Sequence, residues 1–288
     1  MSLETPETPE MPSVAQTLAE AGALGVDRLD AQMILGWQLG RPRSWLIAHD
    51  DALLSAAQAD AVRAALRRRA AGEPVAYLLG EKEFHGLRLE VDANVLVPRP
   101  DTEILVDWAL ELLGADPLAG LPAPRVVDLG TGSGAIALAV KRGCPRADVS
   151  ATDASAAALG VARRNARRLN LHIGFHQGSW WQALPGDARF DLILGNPPYI
   201  AGGDPHLAAL AHEPLLALTP GGDGLGALRE IVRGASAHLA PGGALLLEHG
   251  YDQAEAVQAL LRGHDFGRID TRVDLGGQPR CTGGRRNV

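Results

Sequence analysis

A chain of 288 residues is too long for one small core and predicts one large domain or two of moderate size. Its formal charge of −7, with a pI near 5.7, argues against a protein whose main task is gripping a phosphate backbone. Hydrophobic residues at 46% and charged residues at 21% are those of a globular chain, and no apolar run approaches the length of a membrane span. The two cysteines, Cys144 and Cys281, offer neither a disulfide framework nor a zinc spacing, so a cytoplasmic, reducing setting is expected.

Residues 1–12 carry Glu4, Glu7 and Glu10 among prolines and threonines, which predicts a disordered tail and not a signal peptide. From Val14 to about Leu79 the apolar residues recur at helical spacing, through Leu18, Ala21, Met33, Ile34 and Trp37. Ser55 is placed to cap a helix that ends in Arg67-Arg68-Arg69, where cations suit the macrodipole. This stretch, 13–82, predicts a small helical domain. The pattern then changes: Phe84, Leu87, Leu89, Val91, Val95 and Val97 surround Gly86 and Asp92-Ala93-Asn94, which predicts a hairpin linker over 83–98. In Pro98-Arg99-Pro100-Asp101-Thr102-Glu103, Asp101 or Thr102 is placed to cap a helix reaching about Leu113.

Within a second domain, 99–288, strands and helices alternate from Arg125 onward. Strands are predicted over 126–129, 147–152, 173–176, 190–194 and 244–248, with helices over 135–142, 155–169, 225–239 and 252–261. A longer loop covers 200–223, Pro241-Gly242-Gly243 turns into the 244–248 strand, and short strands close the chain near 269–273 and Cys281. This alternation predicts an α/β fold with a parallel sheet covered on both faces.

The first strand runs into Asp128-Leu129-Gly130-Thr131-Gly132-Ser133-Gly134. The spacing is G-x-G-x-G, not the G-x-G-x-x-G of a dinucleotide site. Asp128 would repel a pyrophosphate but suit a cationic amino-acid group. Asp153, ending the second strand, is placed to bind ribose hydroxyls. Together these residues point to a nucleoside without pyrophosphate, S-adenosylmethionine. The fourth strand ends in Asn196-Pro197-Pro198-Tyr199, a stiff turn with two prolines. It offers an Asn amide, the Pro197 carbonyl and an aromatic ring to a planar NH₂ group. If the first and fourth strands flank the reversal of strand order, the glycine loop and Asn196 face one crevice. The histidines form no ligand cluster, and no metal is expected. His249, following a strand, reads as structural.

The glycine loop together with Asn196-Pro197-Pro198-Tyr199 resembles the amino-methylating class I methyltransferases. The Pro98–Glu103 segment, Asp204-Pro205-His206-Leu207, Glu213-Pro214 and Leu247-Glu248-His249-Gly250 narrow the resemblance to the peptide chain release factor glutamine N5-methyltransferases, the PrmC/HemK family. It implies a class I S-adenosylmethionine-dependent methyltransferase (Rossmann-like) domain, with a small N-terminal helical substrate-recognition domain joined to it by a β-hairpin. It implies transfer to the glutamine of a Gly-Gly-Gln loop in class I release factors. It further implies cofactor contacts from Asp128, Gly130 to Gly134, Asp153, Trp180 and Asn196. Asn196, Pro197, Pro198, Tyr199, Arg99 and Glu213 would meet the substrate, with Asn196, Pro197 and Tyr199 catalytic. The chain departs from the family at Ser179, where an acid is usual, and over 208–212, which is shorter. A monomer without membrane contact or nucleic-acid substrate is expected. Rival readings are glutamine methylation of a ribosomal protein and adenine-N6 methylation of nucleic acid.

Overall fold

The helical spacing of residues 14–79 and the alternation after Arg125 belong to separate structural units. In the computed structural model, which describes residues 11–115 and 117–287, the chain divides after Gly80. Of the tail expected over residues 1–12, residues 1–10 lie outside the described residues. Among the described residues no helix is long and apolar enough to cross a membrane.

The first unit contains helices α1 (Val14–Ala23), α2 (Arg28–Leu39), α3 (Arg43–Ala48), α4 (Ala56–Ala70) and α5 (Val75–Leu79). Ser13 and Ser55 each close a capping box with a glutamine three residues on, which starts α1 and α4. Ile34, Leu35, Leu46, Leu54 and Leu66 form the centre of its core. The arginine run ends α4 as its position suggests, with Arg68 on Glu73 at 2.6 Å and Arg69 on Asp30 at 2.7 Å.

The second unit begins with a hairpin of β1 (Glu81–Phe84) and β2 (Leu87–Glu90), turning through His85 and Gly86, both at positive φ. The hairpin is shorter at its far end than the predicted linker. Val91, Val95 and Val97 are buried without ladder partners, so their alternation records burial in irregular chain and not a strand. A 3-10 turn at Pro100–Thr102 leads into α6 (Glu103–Leu113). Neither Asp101 nor Thr102 caps that helix. Thr102 has helical backbone angles and its hydroxyl is engaged elsewhere.

The elements that follow are β3 (Arg125–Leu129), α7 (Ala135–Gly143), β4 (Asp148–Asp153), α8 (Ala156–Leu169), β5 (Gly174–Gln177) and β6 (Phe190–Gly195). The expected loop over 200–223 contains a 3-10 turn at Pro205–Leu210 and a single turn, α9 (Leu215–Leu218). Then come α10 (Gly226–His238), β7 (Leu239–Glu248), α11 (Ala254–Arg262), β8 (Phe266–Val273) and β9 (Pro279–Arg286). Strand β7 is twice its predicted length. Phe190 pairs with Leu239 but Leu192 with Ala244, so Pro241-Gly242-Gly243 is absorbed as a bulge inside the strand.

The strand order is β5-β4-β3-β6-β7-β9-β8. The first five strands of the unit's sheet are parallel, as predicted, but β9 inserts antiparallel between β7 and β8. The link from β8 to β9 is only a tight turn, Asp274 to Gln278, too short for a parallel crossover. Alternate strand residues divide between two cores. Val126, Leu192, Leu194 and Leu246 pack with α6 and α7, while Val127, Leu129, Ile193, Leu245 and Leu247 pack with α10 and α11. The sheet is therefore covered on both faces, and strand order reverses at the β3–β6 pair.

One buried polar residue ties the hairpin to the end of this sheet. Asn165, fully buried on α8, accepts the Glu90 N–H at 2.6 Å and donates to the carbonyls of Glu90 (3.0 Å) and Ser133 (2.9 Å). Asn165→Ala strips three bonds from buried backbone groups and is expected to cost about 3 kcal/mol in urea denaturation. An unchanged midpoint would show that water replaces the amide at no cost.

Candidate functional site

Strand register sets the site. Leu129 pairs with Gly195 across the reversal, so the glycine loop and Asn196 each begin one residue beyond the same rung. Above them lies a cavity of about 600 Å³, whose wall includes Gly130, Thr131, Gly132, Ser133, Asp153, Trp180, Asn196, Pro198, Arg99 and Thr102.

The loop is held from β4. The N–H groups of Gly130 and Thr131 both donate to the Thr152 carbonyl at 2.9 Å, and the Gly132 N–H donates to Asp153 Oδ2 at 2.9 Å. Gly132 lies at φ +55 with open space where a Cβ would stand, so its backbone is bare to a ligand. Gly134 is not in the wall; it starts α7 and packs against Leu138 and Ala162. Asp153 also accepts the Ser155 N–H at 2.8 Å, turning the chain into α8. Burial raises its pKa, against the pull of these two backbone donors.

Asp128 does not reach the wall. It is fully buried beneath the loop, where Oδ2 accepts the Thr131 hydroxyl at 2.6 Å and Oδ1 has no partner. Burial pushes its pKa up to about 7, opposed by the Thr131 bond. A cation at the loop would interact with this charge through space, not by contact. Trp180 is a bulky residue at φ +43, a strained conformation, and its ring lies 3.1 Å from the Cβ position of Gly130. The next residue anchors it: Trp181 donates to the Glu230 carbonyl at 3.3 Å and stacks on His238 at 4.5 Å. Ser179 and Glu230 line this same end, and the Glu230 carboxylate meets no described partner. A buried carboxylate with an unpaired oxygen, a bare glycine backbone, a second acid and a flat aromatic fit the amino-acid, ribose and base parts of S-adenosylmethionine.

Family models and relatives decide what kind of chain this is. The PrmC N-terminal domain model matches residues 13–80, and the methyltransferase small domain model matches 106–262. A release factor glutamine methyltransferase of Bordetella pertussis is 52% identical over 262 residues, covering 90% of this chain and 95% of its own. One from Burkholderia pseudomallei is 47% identical over 286 residues, covering 96% and 98%. The chain belongs to the release factor glutamine methyltransferase family. Among solved structures, a methyltransferase of Pyrococcus furiosus has a TM-score of 0.52 at 18% identity, covering 70% of this chain and 90% of its own. A T. thermophilus 16S rRNA methyltransferase in complex with AdoMet and guanosine gives 0.54 at 22%, covering 72% and 50%. At these identities the two structures bear on the fold alone, which is that of a class I methyltransferase.

The remaining site residues expected from the family separate into wall and support. Asn196 and Pro198 line the cavity, whereas Pro197 is buried behind them. The Asn196 Nδ2 donates to Thr102 Oγ1 at 3.2 Å, which leaves Oδ1 without a described partner. Tyr199 was expected to cover the substrate, but its ring packs into the core with α10. Its hydroxyl turns to Glu248 Oε1 at 3.5 Å, and its carbonyl accepts from Gln253 at 3.0 Å. Burial first, then the charge of Glu248, pushes its phenol far above the ordinary value. Glu213 is likewise a brace. Its side chain, 3% exposed, accepts the Val97 N–H at 3.0 Å and the Arg99 guanidinium, so it fixes the strand of chain that presents Arg99. His249 is structural, bonded to the Gly250 carbonyl and the Thr282 hydroxyl, each at 2.7 Å.

Sequence reading missed Thr102, Glu230 and Glu248. Thr102 carried a helix-cap signal that masked its contact with Asn196, and Glu230 lies on an ordinary amphipathic helix. Glu248 stood in a family motif with no role attached. It is 1% exposed, its Oε2 lacks a partner, and burial raises its pKa to about 7, opposed by the Thr102 hydroxyl. A raised carboxyl keeps in the folded state a proton that the unfolded chain releases near 4.5. Its stability contribution is therefore complete below about 4.5 and lost as pH rises through 7. Relative to Glu248→Gln, which does not titrate, the native chain should lose on the order of 2–3 kcal/mol between pH 4 and pH 8 in denaturant melts. A difference independent of pH would show that Glu248 is not protonated at neutrality.

Proposed function

We propose that this chain methylates the side-chain amide nitrogen of the glutamine in the Gly-Gly-Gln loop of class I peptide chain release factors, with S-adenosylmethionine as donor. The observation that carries the reading is the juxtaposition, across one strand pair, of a bare glycine loop and an Asn-Pro-Pro-Tyr turn, in a chain of this family.

S-adenosylmethionine, when bound, supplies an electrophilic sulfonium methyl group. The chain's own residues must do the rest. Gly130 to Ser133 hold the amino-acid end over the buried charge of Asp128, Asp153 takes the ribose hydroxyls, and Trp180 lies against the base. Glu230, beside Ser179, is the acid available to the adenine amino group. An amide nitrogen is a weak nucleophile because its lone pair is delocalised into the carbonyl. A general base does not repair this, since the amide proton is far too weakly acidic at neutral pH. Asn196 Oδ1 and the Pro197 carbonyl instead accept the two amide N–H groups. They hold the nitrogen with its lone pair toward the methyl group and stabilise the positive charge that grows on it. As the N–C bond forms and the S–C bond breaks, the surplus proton passes to water. Arg99, braced by Glu213, and Pro198 stand at the approach of the substrate loop. Tyr199 supports the turn from behind. The unit ending at Gly80 serves substrate recognition, a reading supported by its separate core and its match to the PrmC N-terminal domain.

Labelled methyl transfer to purified release factor, ribosomal proteins and DNA in parallel tests the substrate. Label is expected on the release factor glutamine, and label on DNA or ribosomal protein alone overturns the reading. Asn196→Ala should lower transfer about 10²- to 10³-fold while calorimetry shows cofactor affinity retained. Unaltered turnover removes Asn196 from the chemistry.

A further inference from the structure

Two consecutive tryptophans each lie on a glycine, and the two glycines belong to different elements. Trp180 rests on Gly130 of the loop after β3, its ring 3.1 Å from where a Cβ would stand. Trp181 rests on Gly234, in the interior of α10. A Cβ at Gly234 would fall inside the Trp181 indole, onto Nε1 and Cδ1 and 2.8 Å from Cε2. Glycine weakens a helix interior, so its place there calls for a reason in packing. The reason is the indole, which any side chain at 234 would displace.

The contact is fixed along the helix. Trp181 Nε1 donates to the Glu230 carbonyl at 3.3 Å, one turn before Gly234. The indole stacks on His238, one turn after it, with 4.5 Å between centroids and 12° between planes. His238 is itself held, its Nδ1 bonded to the Gly234 carbonyl at 3.0 Å. The turn that carries both tryptophans is tied at its start to β4, where the Gly178 N–H donates to the Asp153 carbonyl at 3.0 Å. Trp181 thus joins α10 to the segment that presents Trp180.

The groups brought together in this way stand at one end of the cavity. The Trp180 ring is a flat face, and Glu230 of α10 puts a carboxylate without a described partner into the same wall. They come from separate elements, with 49 positions between Trp181 and the carbonyl it meets. A ring face alone accepts any base, since every base has a π face. An ionised carboxylate only accepts hydrogen bonds, so it favours a base edge that bears an amino group. That preference requires the carboxylate to be held at one distance from the ring.

We propose that Trp181 is a specificity-determining positioning residue: seated on Gly234, it locks the Trp180 ring to the Glu230 carboxylate, and the locked pair selects an adenine edge over one that carries a carbonyl oxygen. This rests on the assignment above of Trp180 and Glu230 to the base of S-adenosylmethionine.

Calorimetry with S-adenosylhomocysteine and S-inosylhomocysteine reads the selection without any methyl acceptor. The inosyl compound has a carbonyl oxygen in place of the amino group. The native chain should bind the adenosyl compound about 10- to 100-fold more tightly. Glu230→Ala should abolish most of that preference. Gly234→Ala, which displaces the indole while improving helix propensity, should lower the preference about 10-fold by weakening the adenosyl compound and sparing the inosyl one. Trp181→Ala should do the same from the other side of the contact, so either variant serves alone. Ratios are compared at temperatures where thermal melts show each variant folded. A wall that merely held shape would weaken both compounds alike. Equal weakening of the two compounds, or an unchanged ratio, in Gly234→Ala and Trp181→Ala would overturn the role of Trp181. A preference that survives Glu230→Ala overturns the assignment of the base end as well, whereas one lost there and kept in the other two variants overturns the role of Trp181 alone.

Discussion

The parallel pairing of β3 with β6 is the constraint on which the rest of the second unit depends. The chain leaves β3 through α7 to β4 on one face, and leaves β6 through α10 to β7 on the other. Right-handed crossovers in opposite directions leave the carboxyl ends of these two strands uncovered. Whatever follows them is forced to share a crevice. The register of Leu129 with Gly195 makes the two loops start level. A slip of one residue would exchange Leu129 and Ile193 with the residues of the other core, so burial on both faces holds the loops in place. The site is thus a by-product of how the sheet buries its apolar surface.

Much of this was legible from local pattern. Runs such as Leu192-Ile193-Leu194 and Leu245-Leu246-Leu247 declare strands buried on both faces, and Ser55 declares a helix start. The glycine spacing and the Asn-Pro-Pro-Tyr turn announce themselves because few backbones need them. What stayed hidden was tertiary. Val91, Val95 and Val97 alternate like a strand yet join no sheet ladder, since alternation reports which side is buried and not what lies alongside. The antiparallel β9 and the bulge in β7 depend on which edge remains open after the first strands have paired. Tyr199 was read by its motif as a wall of the site, but the space behind the turn accepts its ring, and its hydroxyl finds Glu248 there.

The buried polar residues show the same division. Asp128, Thr131, Ser133, Asn165, Glu213, Thr102 and Glu248 are buried, and all lie in or behind the cavity wall. Several have plain supporting tasks. Asn165 satisfies three backbone groups, and Glu213 holds a backbone N–H and a guanidinium at once. A sequence shows such residues only as ordinary polar letters, because their partners are 32 to 116 positions away. No window on the chain brings them together.

Two of these residues are not satisfied in this way. Asp128 and Glu248 each keep one oxygen without a hydrogen-bond partner, and burial raises both pKa values to about 7. A chain selected for stability alone would pair them or replace them, since an uncompensated buried carboxylate is unfavourable by several kcal/mol at neutral pH. They lie under different loops, one beneath the glycine backbone and one behind Asn196. Neither reaches the cavity wall. In the function proposed above, an ionised Asp128 would put negative charge beneath the amino-acid end and favour a cation there. The wall itself then needs no charged group beside the reacting nitrogen, where a carboxylate would compete with the substrate for hydrogen bonds. Keeping these carboxyls one layer back trades fold stability for a site whose exposed acceptor, the Asn196 amide, is neutral.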